Sequence, residues 1–146
     1  MARVAAVCIS DEKGVQKRPV AEGMLMANHG LEGDAHAGPH HKQVSLLARE
    51  SINKMKARGV EVNPGAFGEN IVTEGIDLLS LPVGTRILIG GAEAEVTQHG
   101  KVCHDRCFIY DRVGDCIMPR EGIFVRILKG GAVKPGDEII VMSDAG

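Results

Sequence analysis

Aromatic residues are scarce in this sequence, which has no Trp, one Tyr and three Phe among 146 residues. Aliphatic side chains must therefore build any hydrophobic core. No apolar run reaches the roughly twenty residues that a membrane-spanning helix needs. The opening stretch, MARVAAVCISDEKG, also lacks the long apolar segment of a signal peptide. The sequence thus predicts a cytoplasmic protein without a membrane partner.

A strong charge of either sign is also absent. The formal net charge is −2, with 25% charged and 44% apolar residues, so no basic field favours nucleic acid as a partner. A chain of this length fits one domain, residues 1–146, whose core needs neither disulfides nor metal. Four cysteines are present. In a reducing compartment, clustered cysteines are more often catalytic or metal-binding than disulfide-bonded.

Short β-type runs bounded by glycine, proline or polar residues outnumber helical patterns. They predict strands at 3–10, 43–47, 69–75 and 76–84, a Gly75 turn, and a hairpin at 85–98 that turns at Gly90-Gly91. The polar segment 11–23 is expected to form a loop or an edge hairpin.

The remaining patterns predict one helix and a C-terminal strand pair. A helix of about ten residues is expected within 48–59, ending near Gly59. Alternation of apolar residues over 123–127 predicts a strand, after which Gly130-Gly131 is expected to turn the chain so that 137–142 pairs back. We therefore predict a mainly β (α+β) domain with one or two short helices. A closed or partly closed barrel would protect its strand edges best.

Three of the four cysteines, Cys103, Cys107 and Cys116, lie within fourteen positions of one another. The spacing C-x3-C-x8-C is not a standard zinc pattern, because structural zinc sites use paired C-x(2–4)-C units and four ligands. A zinc site that includes a histidine stays an alternative. Lys101, His104 and Arg106 surround Cys103, and cations lower the pKa of a thiol, which favours a nucleophile. Cys107 is interpreted as a buried thiol, Cys116 as a resolving or packing thiol, and Cys8 as a core residue.

Other segments carry candidate ligand-binding residues. In GLEGDAHAGPHHKQ, Asp34 and His36 form an Asp-x-His pair that can orient an imidazole or coordinate a metal, with an exposed turn as the alternative. In NPGAFGEN, Glu69 and Asn70 precede a strand and could bind polar ligand atoms. Arg120 follows a proline and could clamp an anion bidentately, or form a surface salt bridge instead.

The order of several segments is informative beyond any single residue. These segments are GLEGDAHAG, KQVSLL, GAFGENIVTEGIDL, LPVGTRILIG, EVTQ with Cys103 five residues after its Gln, and GIFVRILKGGAVKPGDEI. From about Val4 to Met142 the arrangement resembles the MOSC domain, the C-terminal module of molybdenum-cofactor sulfurases and also a small free-standing protein. The resemblance implies a barrel-like β-fold and a role in binding or delivering sulfur, with Cys103 as the persulfide carrier.

The resemblance also implies a set of site residues and partners. The family's Gly-Asp and Glu-Asn positions correspond to Gly33, Asp34, Glu69 and Asn70. The hypothesis that follows is a sulfur carrier or molybdenum-cofactor-binding protein, with sulfurtransferase activity as an option. The cofactor pocket would be formed by Gly33, Asp34, His36, Lys42, Glu69, Asn70, Arg106 and Arg120.

Nothing in the chain resembles the pyridoxal-phosphate-dependent half of the large sulfurases. A cysteine desulfurase or another donor would therefore supply the sulfur, and a molybdopterin-type molecule would be the ligand. Two alternatives remain open: a non-catalytic cofactor-binding module, and a small zinc protein that uses Cys103, Cys107 and Cys116.

Overall fold

β-Branched and aliphatic runs form the strands, and glycines or polar residues end them. The computed structural model describes residues 2–10, 17–35, 37–39, 43–57, 59, 69–99 and 122–142. Within these residues the elements are β1 (Arg3–Ile9), β2 (Arg18–Val20), β3 (Gly23–Met26), β4 (Gly30–Leu31), β5 (Val44–Ala48), α1 (Arg49–Ala57), β6 (Ile71–Glu74), β7 (Arg86–Ile89), β8 (Ala92–His99), β9 (Ile123–Lys129), β10 (Gly131–Val133) and β11 (Ile139–Val141). No helix in these ranges is long and apolar enough to cross a bilayer.

Eight strands form one mixed sheet in the order β11-β7-β8-β9-β5-β6-β1-β2, and β10-β3-β4 form a smaller sheet. Neighbours in the large sheet are antiparallel except β5 and β6, which run parallel. A parallel pair needs a crossover, and α1 supplies it by packing against both strands. The predicted mainly β class with a short helix is confirmed.

β1, the second strand from one end of the large sheet, approaches β11 at the other end without joining it in a continuous ladder. The N–H of Val4 donates to the carbonyl of Asp137, at 2.8 Å, and the N–H of Ile139 donates to the carbonyl of Ala2, at 3.0 Å. Among the described residues, Arg3 and Glu138 form an isolated bridge here. The sheet is therefore curled but is not closed into a barrel.

Aliphatic side chains from one face of the sheet build the core. The predicted alternation in β9 is confirmed, because Ile123, Val125 and Ile127 are all buried in this cluster while Arg126 is exposed. Within the described part of the chain, the core cluster contains no aromatic side chain. The scarcity of aromatics in the sequence is thus reflected in an aliphatic interior.

Two predicted turns follow the expected chemistry. Gly90 has a φ of 57° between β7 and β8, where the left-handed region suits glycine. Gly59, with a φ of 90°, follows α1, and its N–H donates to the carbonyl of Lys56. Both the hairpin and the helix end are confirmed.

The predicted strand at 76–84 is wrong. Leu78–Ser80 form a 3₁₀ turn, in which the N–H of Ser80 donates to the carbonyl of Asp77 at 3.2 Å. The two buried leucines, Leu78 and Leu81, are three residues apart. A spacing of three brings both side chains to one side of a 3₁₀ turn, whereas a strand needs a spacing of two.

The predicted pairing of 137–142 with the preceding strand is also wrong. Both edges of β9 are occupied, by β8 and β5, so β11 pairs with β7 instead. The intervening β10 pairs with β3. A Cβ on Gly131 would lie 2.4 Å from the carbonyl of Gly91. The glycine therefore serves a close backbone approach to the β7–β8 turn.

Thr73 of β6 should be suboptimal for stability. Its fully buried hydroxyl has no hydrogen-bond partner among the described residues, and its register partners are Val4 and Ala48. We expect Thr73→Val to raise the free energy of unfolding by about 1 kcal/mol, because it removes an unsatisfied polar group. Urea denaturation measures the change.

Thr97→Val is the matched control for this substitution. The hydroxyl of Thr97 donates to the carbonyl of Phe124 at 3.2 Å, so its loss should lower the free energy of unfolding by about 1 kcal/mol. A Thr73→Val protein that is less stable than the wild type would contradict the interpretation.

Candidate functional site

A row that is buried except for the half-buried Gln98 crosses the sheet on the face opposite the aliphatic core. Gln98 pairs with Phe124, and Phe124 pairs with Ser45. The N–H of Asn70 then donates to the carbonyl of Ser45 at 3.0 Å, and the N–H of Cys8 donates to the carbonyl of Asn70 at 2.6 Å. Adjacent rows point to opposite faces of a sheet, and the next row, which includes Leu46 and Ile123, belongs to the core.

Asn70 is the link between three chain segments in this row. Its Oδ1 accepts the backbone N–H of Ser45 at 3.0 Å and the Ser45 hydroxyl at 3.2 Å. Its Nδ2 donates to the carbonyl of Cys8 at 3.2 Å, and its side chain also donates to Asp34. An amide has two donor hydrogens and two acceptor lone pairs. A ligand contact through this amide would therefore have to displace an internal bond.

Asp34 receives donors from two separate parts of the chain. Its Oδ1 lies 3.0 Å from the backbone nitrogen of Ser10 and 2.8 Å from Nζ of Lys17, and both nitrogens donate. The residue before it, Gly33, has a φ of 85°, in the left-handed region that a side chain rarely adopts. The glycine thus lets the chain turn directly before the buried carboxylate.

The environment of Asp34 contains opposing influences on its pKa. Burial, the largest of them, would raise the pKa of this carboxyl. Hydrogen bonds from Lys17, Ser10 and Asn70, together with the charge of Lys17, outweigh burial and lower the pKa below the ordinary value of 3.8. Asp34 is consequently ionised at neutral pH and paired with an equally buried ammonium.

The two predicted residue pairs thus meet in one cluster. Asp34 and Asn70 are joined directly, with Gly33 and Glu69 next to them in the chain, and the Glu69 side chain is fully buried. The predicted residues His36, Lys42, Cys103, Arg106 and Arg120 lie outside the described residues, as do Cys107 and Cys116. Among the described residues, no group of three or more His, Cys, Asp or Glu side chains could hold a metal ion.

Ser10 and Lys17 belong to the cluster but were not predicted from the sequence. Lys17 lies in a polar segment that was predicted to be a loop or an edge hairpin. The edge-hairpin alternative agrees with the structure, in which β2 pairs with β1 at the edge of the large sheet. In the observed register Ile9 pairs with Arg18, which brings Lys17 beside Ser10. Aligning β1 with β2 in the sequence would therefore have identified Lys17 as a neighbour of Ser10.

The predicted core position of Cys8 is confirmed. The thiol is fully buried in β1. Burial, followed by the nearby charge of Glu69, raises the pKa of Cys8 from 9.0 to about 12, against the lowering effect of Lys17. Since the thiolate is the nucleophile, Cys8 is chemically protected in the folded protein.

Cys8 should therefore resist alkylation in the native state. With a pKa of about 12, only about one thiol in ten thousand is ionised at pH 8, and the side chain is inaccessible. We expect no iodoacetamide label on its tryptic peptide from folded protein, and full labelling in urea, as measured by mass spectrometry. Labelling of folded protein at the rate seen in urea would contradict the assignment.

Comparisons with known proteins agree with this architecture. The YuaD protein from Bacillus subtilis is 25% identical over 97% of this chain and 96% of its own, with a TM-score of 0.72. YiiM from Geobacillus stearothermophilus is 19% identical over 98% of this chain and 76% of its own, with a TM-score of 0.74. YiiM from Escherichia coli is 20% identical over 99% and 71%, with a TM-score of 0.69. The YiiM likenesses show the fold alone.

The match to a protein family is more informative. No curated protein matches the chain, but the sequence model of the MOSC domain matches residues 32–140. This range contains both Asp34 and Asn70. The chain therefore belongs to the MOSC domain family, which is associated with molybdenum cofactor binding or sulfur metabolism.

Proposed function

We propose that the protein carries sulfur for, or binds, a molybdopterin-type cofactor, with Cys103 as the persulfide-forming residue. The observation that carries this proposal is that the buried Asp34 and Asn70 side chains both bond to the end of β1: Asp34 accepts the N–H of Ser10 at 3.0 Å, and Asn70 donates to the carbonyl of Cys8 at 3.2 Å. These residues come from the two segments that resemble the family's Gly-Asp and Glu-Asn motifs, and they are 36 positions apart in the sequence. Because both residues belong to one buried cluster, they support the proposal that the two segments form a common site.

The described strands on either side of the cysteine segment support the same site. His99 pairs with Ile123, so the strands that precede and follow this segment are neighbours in the sheet. Cys103 follows His99 by four residues, which span at most about 14 Å. Three strand spacings of about 4.8 Å separate Gln98 from Asn70 along the buried row. The fully extended length of these four residues is thus about the same as the distance from β8 to Asn70.

The proposed roles follow from how the described side chains are bonded. The described hydrogen bonds of the Asp34 and Asn70 side chains are made with other residues of the protein. Because these polar atoms are already engaged, we assign the two residues to the wall of the site. A phosphate-bearing ligand would also require cations, which Lys42, Arg106 and Arg120 would supply. The cofactor, when bound, would supply the metal and dithiolene chemistry. The donor set of a thiol, hydrogen-bonding groups and cations fits such a ligand.

The sulfur-transfer step balances without an external oxidant. The Cys103 thiolate attacks the terminal sulfur of a persulfide on the donor's cysteine, and the donor's S–S bond breaks as that thiolate leaves. A persulfide forms on Cys103. A nucleophilic group of the acceptor later attacks the terminal sulfur and forms a bond to it, the S–S bond on Cys103 breaks, and the Cys103 thiolate leaves and is thereby regenerated. Lys101 and Arg106 would stabilise the thiolate in both steps.

Cys103→Ser should abolish sulfur acceptance. We expect wild-type protein incubated with a cysteine desulfurase and cysteine to gain the mass of one sulfur atom. The gain should be sensitive to a reductant and should map to the Cys103 peptide. Cys103→Ser should show no gain above background, because a hydroxyl cannot form a persulfide. Intact-protein mass spectrometry measures both.

Cys8→Ala is the control, because its thiol is buried and protected and should not contribute to the gain. Sulfur uptake by Cys103→Ser at the wild-type level would contradict the persulfide role. Retained cofactor binding in a variant that accepts no sulfur would separate the binding role from the transfer role.

A further inference from the structure

A cavity opens beside β8 and β9, at residues that have no role in the proposed sulfur transfer. Its volume is about 430 Å³, within the range of about 300–1,000 Å³ that is usual for small-molecule sites. Polar residues form part of its lining, namely Asn28, Gln43, Glu95, Thr97 and Arg126. A few convergent polar groups in a cavity of this size are typical of a site that orients one ligand.

The polar residues of the cavity lie on the same sheet face as the row that contains Phe124 and Ser45. Glu95 pairs with Arg126, and the register of β5 with β9 places Gln43 opposite Arg126. Arg126 is two residues from Phe124, and side chains two residues apart on a strand share a face. The same holds for Gln43 and Ser45. Two residues of a strand span about 7 Å, so the cavity is an immediate neighbour of the candidate row.

A buried glutamine fixes the position of Asn28 at this cavity. Gln43 is 1% exposed, its Oε1 accepts the N–H of Ile127 at 2.9 Å, and its Nε2 donates to Oδ1 of Asn28 at 3.2 Å. The N–H of Asn28 donates to the carbonyl of Ile127 at 2.8 Å, and Asn28 has a φ of 53°. Positive φ is uncommon outside glycine, and such residues cluster at ligand sites. Because Oδ1 is engaged, the amide of Asn28 can offer its Nδ2 hydrogens to a ligand.

The ion pair of Glu95 and Arg126 supplies complementary groups. Nε of Arg126 donates to Oε1 of Glu95 at 2.7 Å. Among the described residues the two side chains are joined through these atoms alone, so Oε2 of Glu95 remains an acceptor and the Nη groups of Arg126 remain donors. The side chain of Arg126 is 50% exposed. An exposed ion pair contributes little to stability, which favours a role in binding over a structural one.

The cavity thus presents a carboxylate acceptor beside two sets of donors. A carboxylate can accept two parallel N–H bonds. A 2-amino-4-oxopyrimidine ring offers such a pair in its amino group and the adjacent ring N–H, and its 4-oxo group needs a donor. The exposed apolar side chain of Val83 also lines the cavity and gives the face of a planar ring an apolar contact. Pterin and guanine both contain this ring.

We propose that this cavity binds the 2-amino-4-oxopyrimidine edge of a pterin. Glu95 accepts the amino and ring N–H groups, and Arg126 and Asn28 donate to the 4-oxo group. Gln43 is a positioning residue that acts through Asn28. The inference rests on the proposed function, which supplies a pterin as the source of the ring, and guanine is the other source of the same ring edge.

The experiment compares two fluorescent probes that differ at one ring position. Pterin carries the 2-amino group, and lumazine carries an oxo group in its place. Dissociation constants are measured by fluorescence titration of the full-length wild type, Glu95→Gln and Arg126→Gln. Glu93→Gln is the matched control. Glu93 lies two residues before Glu95 on β8, has the same side-chain exposure of 23%, and is not among the described residues that line this cavity.

We expect the wild type to bind pterin roughly tenfold more tightly than lumazine, which is the effect of about one hydrogen bond to a charged group. Glu95→Gln should reverse this preference, because its amide offers an acceptor to the ring N–H and a donor to the 2-oxo group of lumazine. Arg126→Gln should weaken both probes by a similar factor, since both carry the 4-oxo group. Glu93→Gln should bind both probes like the wild type.

Equal affinity of the wild type for the two probes would overturn the inference, and this ratio can be measured even if a variant does not fold. A preference for pterin that persists in folded Glu95→Gln would overturn it as well. Neither result changes the sulfur acceptance of Cys103, which is measured separately by the mass gain of the wild type.

Guanosine, added as a competitor of pterin, distinguishes the two sources of the ring. An inhibition constant above the pterin dissociation constant would support a pterin as the ligand. A lower inhibition constant would overturn the assignment to a pterin. A wild type that binds neither fluorescent probe would overturn both this inference and the cofactor-binding role.

Discussion

A carboxylate buried beside aliphatic strands stays ionised only if cations and N–H donors replace the water that it has lost. Asp34 meets this requirement with Lys17, the backbone of Ser10 and the amide of Asn70. Each donor comes from a different part of the chain. The need to satisfy one carboxylate therefore determines where the end of β1, the start of β2 and the approach to β6 must lie.

The sheet topology makes that convergence possible. The parallel pair β5–β6, joined by α1, brings Asn70 next to Ser45, and the antiparallel pair β1–β6 brings Cys8 and Ser10 to the same end. The aliphatic core lies on one face, and the row from Gln98 to Cys8 lies on the other. The same strands thus carry the aliphatic core and the candidate site. A change in strand register would disrupt both, because the side-chain period of a strand is two.

Local patterns predicted most of the strands, since alternation and glycine turns act over a few residues. The hairpin at Gly90 and the alternating residues of β9 are examples. The strand predicted at 76–84 failed because Leu78 and Leu81 are spaced for a 3₁₀ turn. The partner of β11 could not be predicted from its own residues, because it depends on which edges remain available after β5 and β8 have paired with β9.

The candidate site shows the same difference between local patterns, which can be read from the sequence, and long-range contacts, which cannot. Asp34 and Asn70 were identified as polar residues of two glycine-rich segments and from the resemblance of these segments to family motifs, but their mutual hydrogen bond requires the complete fold. Lys17 lay in a polar segment with no distinctive motif, and a buried lysine is contrary to the usual exposure of its residue type. Its importance follows only from the strand pairing that brings it to Asp34. Long-range pairing, and not residue chemistry, is the information that a single sequence lacks.

Titration of the Asp34 side-chain carboxyl by carbon-13 NMR, assigned with the Asp34→Asn variant, would show whether its donors keep this buried carboxylate ionised. The account predicts a pKa below the ordinary value of 3.8, because donors outweigh burial. A pKa above 3.8 would show that burial dominates and that the carboxyl is not held by Lys17, Ser10 and Asn70. The buried cluster would then not exist in the form described.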